Sequence, residues 1–324
     1  MKTQSPKRKR RRRLRIRPAR FGCFIAVILA GAALLIWALQ PEALRQEKNA
    51  LHAWLFGLFH QDTYDADALL VTEPGSGAVW LSLREDQPQP PASLAKLFVA
   101  EYAATLAPLE STVPVSAEAL ALTKPGSSVA GIQAKDYTLE NLFAAMLVPS
   151  GNDAAYAVAD YCGGILSPQA APGRERVQAF LSGLQEHLEK TGCRDTFLYD
   201  PSGFDEQSRT TALDLAAVTG RLMEQDWFRQ MVSSAVYTAR LPDGSTQSWQ
   251  NTNAFLNPQS EYYDPHVAGV KTGSLEDGYN LVVLCRRQGR ELLICSLGAQ
   301  SDSSRYDNVK RLMEDLSQSS LLAG

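Results

Sequence analysis

Val267-Ala-Gly-Val-Lys-Thr-Gly-Ser274, Asn280-Leu-Val-Val-Leu-Cys285 and Glu291-Leu-Leu-Ile-Cys-Ser-Leu297 are three closely spaced runs rich in leucine and β-branched residues. The last two flank Gln288-Gly289, a hairpin signal, and Asp307–Leu316 behind them has helical periodicity. Working outward, Ala68–Thr72 and Val79–Leu83 form a second strand pair around Pro74-Gly-Ser-Gly77. Between the two pairs lie helical segments: Ser93–Leu106, Tyr137–Val148, Asn152–Cys162 and Arg174–Lys190, the last closed by Gly192. Strands at both ends with helices between them predict an α+β unit, one antiparallel sheet built from both termini around a helical insertion.

Three signals in this region supply chemistry. In Ser93-x-x-Lys96, residues three apart on a helix are neighbours, so Lys96 can reach the Ser93 hydroxyl. Lysine acts as a base only if its pKa is lowered: at about 10.4, roughly one in 2,500 is neutral at pH 7. Burial and a second cation both push that way, and Lys271 is the candidate cation. Ser150 and Asn152 sit on a helix break at Pro149, where a hydroxyl and an amide can face a cleft; helix capping is the structural alternative. Lys-Thr-Gly occurs twice. Lys190-Thr191-Gly192 ends a helix and reads as a cap. Lys271-Thr272-Gly273 lies on a strand, where Gly273 admits close backbone approach and the Ser274 N–H can join that of Ser93 in an oxyanion hole. Together these groups suit a serine nucleophile with a lysine base, opening an amide through an acyl-enzyme.

Charge divides the 324-residue chain: residues 1–20 hold 11 of the 32 basic residues and no acid, leaving 21 positives against 35 acids, or −14, in the remainder. Phe21–Leu39 is uncharged and spans about 28 Å as a helix, close to a bilayer core. It is expected to be an uncleaved anchor with the arginines cytoplasmic and the rest exported; a cleaved signal peptide and secretion are the alternative. The arginine run is explained by topology and implies no nucleic-acid partner. The expected organisation is a basic tail (1–20), a membrane anchor (21–39), an amphipathic stem (40–64), a catalytic domain (65–318) and a short tail (319–324).

Of five cysteines, Cys23 lies in the span. A two-residue loop at Gln288-Gly289 pairs Cys285 with Leu292 and Cys295 with Val282, so these two thiols point to opposite sheet faces and do not bridge. Cys162 and Cys193 are left open between a disulfide and buried free thiols. His52, His60, His187 and His266 are scattered without ligand spacing, which disfavours a metal-dependent peptidase; no metal or cofactor is expected.

Beyond the triplets, Pro91-Ala-Ser-Leu-Ala-Lys96, Ser150-Gly-Asn-Asp-Ala-Ala155, Asp200-Pro-Ser-Gly-Phe204, Asn251-Thr-Asn253, Gly269-Val-Lys-Thr-Gly273 and Gly278-Tyr-Asn280 occur in an order that resembles the serine-type D-Ala-D-Ala carboxypeptidases, the low-molecular-mass penicillin-binding proteins. The resemblance spans about Asp65 to Leu316. It implies the serine β-lactamase/transpeptidase-like fold, an antiparallel sheet flanked by helices with a helical subdomain. It also implies a peptidoglycan stem peptide ending in D-Ala-D-Ala as substrate, and β-lactams as covalent inhibitors. Site roles follow by resemblance. Ser93 attacks, Lys96 takes its proton, Ser150 relays protons to the leaving amine and Asn152 holds the substrate backbone. Lys271 supplies positive potential, Thr272 contacts the terminal carboxylate, and Arg305 falls where a carboxylate-binding arginine is expected; a solvated surface position is its alternative. The family commonly adds a C-terminal β domain and amphipathic anchor, whereas this chain stops at Gly324, so the N-terminal span is expected to replace that anchor. The loop Ser274–Asp277 is slightly short and borders the cleft. A serine β-lactamase ranks second, since no Glu-x-x-Leu-Asn lies between Asn152 and Lys271. A non-catalytic peptidoglycan-binding module ranks third, because it has no use for the nucleophile and both lysines.

Overall fold

The computed structural model describes residues 63–276 and 278–318. The expected basic tail, membrane anchor, nearly all of the stem and the C-terminal tail lie outside the described residues, as do Cys23, His52 and His60. Among the described residues, no helix is long and apolar enough to cross a membrane.

The described residues open with a hairpin, β1 (Ala68–Glu73) and β2 (Ala78–Leu83). A single 3-10 turn, Ala92–Leu94, leads into helix α1 (Ala95–Leu106). Next come β3 (Thr112–Pro114), α2 (Ala117–Leu120), β4 (Asp136–Thr138), α3 (Leu139–Leu147), α4 (Asn152–Leu166) and α5 (Arg174–Thr191). Helices α6 (Ala212–Met223) and α7 (Asp226–Val232) precede a small hairpin, β5 (Val236–Arg240) and β6 (Thr246–Gln250). Strands β7 (Val267–Leu275), β8 (Gly278–Arg287) and β9 (Arg290–Ala299) and helix α8 (Asp302–Gln318) complete it. The main sheet has the order β2-β1-β9-β8-β7, with every neighbouring pair antiparallel. The amino-terminal hairpin is therefore joined to the carboxy-terminal meander, as strands at both ends require.

The sheet is covered on both faces, which is why its strands read as continuous apolar runs rather than alternating ones. Leu70, Val270, Val282, Leu284, Leu293 and Cys295 face the helical layer, where Phe98, Phe143, Leu215 and Phe228 are fully buried. Leu69, Val71, Leu281, Val283, Cys285 and Ile294 face α8 through Val309, Leu312 and Met313. Cys285 pairs with Leu292 and Cys295 with Val282, so the two thiols lie on opposite faces as the hairpin register demands. All four described cysteines are buried free thiols, which resolves the open choice for Cys162 and Cys193.

Several boundaries correct the sequence reading. The helix expected from Ser93 starts at Ala95, because Pro91 and a positive φ of 50° at Ala92 first wind a 3-10 turn, and Ser93 sits in that turn. Tyr137 belongs to β4 and not to the following helix, which Thr138 caps together with Asn141. The closing helix begins at Asp302, five residues ahead of the expected Asp307. The second copy of the triplet caps a helix as expected: Gly192 is left-handed at φ 87°, and the Cys193 N–H returns to Leu188 O at 2.9 Å.

Candidate active site

The 3-10 turn is clamped to β8, the strand next to the sheet edge. Asn280 on β8 donates through Nδ2 to Pro90 O (2.8 Å) and Pro91 O (3.1 Å), and its Oδ1 accepts the Gly298 N–H at 2.9 Å. This fixes Ser93, half-buried, above the first turn of α1, where Lys96 is fully buried. Lys96 Nζ lies 2.7 Å from Ser93 Oγ, 2.7 Å from Asn152 Oδ1 and 3.0 Å from Ser202 O. A neutral amine has two N–H groups and one lone pair. Asn152 Oδ1 and Ser202 O can only accept, so they take both N–H groups and leave the lone pair for the Ser93 O–H. Burial pulls the Lys96 pKa down to about 7, against the Asp200 and Asp153 carboxylates, which favour the ammonium form. About half of the amine is then neutral at pH 7. Burial is the main cause of the lowered Lys96 pKa, and Lys96 and Lys271 repel each other.

Helix α3 gives way to α4 across Pro149-Ser150-Gly151, with Ser150 at φ 64°. Gly151 is the N-cap of α4 and no side chain caps that helix, so neither Ser150 nor Asn152 is spent on capping. A Cβ on Gly151 would lie 2.6 Å from Ala130 Cβ and 2.7 Å from Ala145 O, so only glycine fits the bend. Asp153 braces it from the other side, its carboxylate accepting the Ala130 N–H at 2.8 Å and the Ile132 N–H at 2.9 Å. These contacts aim Asn152 at Lys96. The Ser150 hydroxyl is buried and has no hydrogen-bond partner among the described residues.

Strand β7 is the edge of the sheet. Gly273 lies where a Cβ would meet Pro91 O at 3.0 Å, so glycine lets the strand press against the turn carrying Ser93. Lys271 is buried rather than projecting, and Nζ donates to Thr272 O at 3.0 Å. Burial, then the charges of Lys96 and Arg305, hold its pKa well below the ordinary lysine value. Thr272 Oγ1 is 2.6 Å from Thr252 Oγ1. Arg305 is buried rather than solvated: Nη1 donates to Gly273 O (3.1 Å) and to Ser274 Oγ (2.9 Å), and the guanidinium pairs with Asp302. Its Nε is buried without a partner among the described residues.

Ser93, Asn152 and Ser274 line a common cleft of about 170 Å³ together with Ser128, Ser202 and Leu275. Leu275 also lines a second cavity of about 210 Å³, bordered by Gln89, Glu206 and Gly278. The structure thus brings Ser93, Lys96 and Asn152 into direct contact. It also joins Gly273, Ser274 and Arg305 along the edge strand, with Lys271 and Thr272 beside them. Thr252, Ser202 and Asn280 take part without any site role expected of them from sequence. Each stands in a segment quoted for the resemblance, but a backbone carbonyl and a clamp between loop and sheet leave no side-chain pattern in sequence. Among the described residues, no group of three histidine, cysteine, aspartate or glutamate side chains could hold a metal ion.

The fold and this serine–lysine contact match one protein family. The family model for D-alanyl-D-alanine carboxypeptidase matches residues 58–301, and the chain belongs to that family. It is 28% identical over 263 residues to D-alanyl-D-alanine carboxypeptidase DacD of Salmonella typhimurium, covering 77% of this chain and 62% of the relative. It is 30% identical over 183 residues to the D-alanyl-D-alanine carboxypeptidase of Streptomyces sp. strain K15, covering 54% of this chain and 60% of the relative. The chain thus spans about three-fifths of the length of these curated relatives. The crystal structure of the Streptomyces K15 DD-transpeptidase superposes with a TM-score of 0.67 at 24% identity, covering 78% of this chain and 96% of that one. A D-alanyl-D-alanine carboxypeptidase from Mycobacterium tuberculosis H37Rv gives a TM-score of 0.65 at 24% identity, covering 78% and 90%. These likenesses establish the fold.

Proposed function

We propose that this protein is a serine D,D-carboxypeptidase that removes the terminal D-alanine from peptidoglycan stem peptides through an acyl-enzyme on Ser93. The observation that carries the reading is the buried Lys96 amine, 2.7 Å from Ser93 Oγ and with a pKa near 7. Relative to an ordinary lysine it offers about a thousandfold more neutral base at pH 7, roughly 4 kcal/mol.

In this reading Ser93 Oγ attacks the carbonyl carbon between the two D-alanines as its proton moves to Lys96 Nζ. The N–H groups of Ser93 and Ser274 hold the oxyanion. Collapse breaks the C–N bond, and Ser150, whose hydroxyl is uncommitted, relays a proton to the departing amine. Asn152 Oδ1 is engaged by Lys96, so its Nδ2 remains to donate to the substrate backbone. Lys271 and Arg305 supply positive potential for the terminal carboxylate, with Thr272 and Ser274 as hydroxyl donors and Gly273 giving the strand its close approach. Water then hydrolyses the ester. β-Lactams acylate the same serine.

We infer further that residues 21–39 anchor the chain in the bilayer with residues 1–20 cytoplasmic, and that the stem 40–64 carries an extracytoplasmic catalytic domain, 65–318, ahead of the tail 319–324. The test is release of D-alanine from a peptide ending in Lys-D-Ala-D-Ala. Release by the parent and none by Ser93→Ala supports the reading; no release by a folded parent overturns it.

A further inference from the structure

Asp200 touches neither Ser93 nor Lys96, yet the loop wound around it ends on both. Its buried carboxylate accepts the Ser202 N–H at 2.7 Å, the Ser202 hydroxyl, the Phe204 N–H at 3.4 Å and the Asp205 N–H at 2.6 Å. These bonds all run from Asp200 to the residues just after it, so they coil Asp200–Asp205 about one carboxylate. Two consequences follow. The Ser202 carbonyl is turned outward onto Lys96 Nζ at 3.0 Å. Gly203, at φ 75°, is driven so close to the Ser93 turn that a Cβ would sit 1.8 Å from Ala92 O. Asp200 forms no ion pair among the described residues, so its charge is shared with amide and hydroxyl donors alone, beside a buried amine.

We propose that Asp200 is a positioning residue for the base: through the Ser202 carbonyl it fixes the direction of the Lys96 lone pair, and its charge sets how readily that amine gives up a proton. This rests on the carboxypeptidase reading of the site. The other groups facing Lys96 define the balance. Asp153 at the start of α4 adds a second negative charge, and Ser93, Asn152 and Ser202 are neutral. Lys271 on β7 faces Lys96 with Arg305 behind it, and burial, then these two charges, hold the Lys271 pKa well below the ordinary lysine value. Tyr156 on α4 faces Asp200, and burial followed by that carboxylate raises its pKa to about 12, so it stays neutral. The Asp200 and Asp153 carboxylates both favour the ammonium form of Lys96, so removing Asp200 favours the neutral amine. Asp200→Asn keeps one oxygen for Ser202 and Phe204 and loses the acceptor for Asp205.

The test is the second-order rate constant for acylation of the full-length protein by a fluorescent penicillin, measured from pH 5 to 9, with thermal melts on every variant. In the parent the rate should rise through a limb near pH 7. In Asp200→Asn the limb should move to lower pH by about half a unit to one unit, with a plateau about tenfold lower. Asp200→Glu should return the limb toward the parental pH, which loosened packing alone would not do. A limb at the parental pH in Asp200→Asn overturns the proposal. If that variant does not fold, Ser202→Ala serves: it removes one donor from the carboxylate and should slow acylation about threefold with the limb moved upward, whereas an unchanged profile overturns the proposal. A parent that is never acylated overturns the carboxypeptidase reading, and this inference with it; a parent that is acylated while the variant limb stays fixed overturns this inference alone.

Discussion

Lys96, the base in the proposed mechanism, works against stability. Its folded pKa of about 7 lies below the unfolded value, so between these values the unfolded chain binds more protons. The penalty is full below pH 7, roughly 4 kcal/mol, and is relieved as pH rises toward that of free lysine. Lys96→Met should therefore melt at higher temperature than the parent at pH 7, with the gain shrinking by pH 9, while acylation falls by about a thousandfold or more. A melt that is lower at pH 7 would show that the amine is not held neutral by burial. Ser150 makes a different prediction. Its unpartnered hydroxyl contributes little to the fold, so Ser150→Ala should leave stability within about 0.5 kcal/mol of the parent in thermal melts while slowing D-alanine release.

At the scale of elements, the two Lys-Thr-Gly copies separate packing from chemistry. Gly192 ends α5 at φ 87°, with open space around its missing Cβ. Gly192→Ala should cost about 1 kcal/mol in denaturant melts and leave acylation unchanged. Gly273→Ala adds a Cβ 3.0 Å from Pro91 O and 3.1 Å from Ala92 Cβ, pushing on the Ser93 turn, and should slow acylation about tenfold. Local context makes this distinction legible in the sequence: one copy follows an amphipathic helix, the other a β-branched run. The sheet is legible for a related reason, since burial on both faces leaves long apolar strands. Helix α6 escapes the sequence reading, although Thr211 caps it through the Asp214 N–H. Hairpin β5–β6 escapes it too, because only Ala239 and Trp249 in its strands are buried and the rest is too polar to show a period. In the site, the contact of Lys96 with Ser93 follows from helical spacing. The Ser202 carbonyl does not, because it depends on a loop folding about Asp200 from more than a hundred residues away.

Across the whole molecule, the four described cysteines are packing residues. Burial raises the thiols of Cys162, Cys285 and Cys295 to about 12 and raises Cys193 as well. A thiol-reactive dye should label none of these four until the protein is unfolded, and reductant should not move the melting temperature. Since these thiols hold their protons above the pH at which unfolded cysteine ionises, their contribution is present below about pH 9 and lost above it. Together with the relief of Lys96, this gives stability that rises from pH 7 and turns down beyond about 9, which a series of melts against pH would trace. The central claim is that Ser93 is the nucleophile and Lys96 its base. Mass spectrometry of the protein after brief exposure to benzylpenicillin tests it most directly. The account predicts one adduct, located on Ser93 in the parent and missing from Ser93→Ala and Lys96→Met at the same exposure. An adduct on another residue, or undiminished labelling of Lys96→Met, would contradict it.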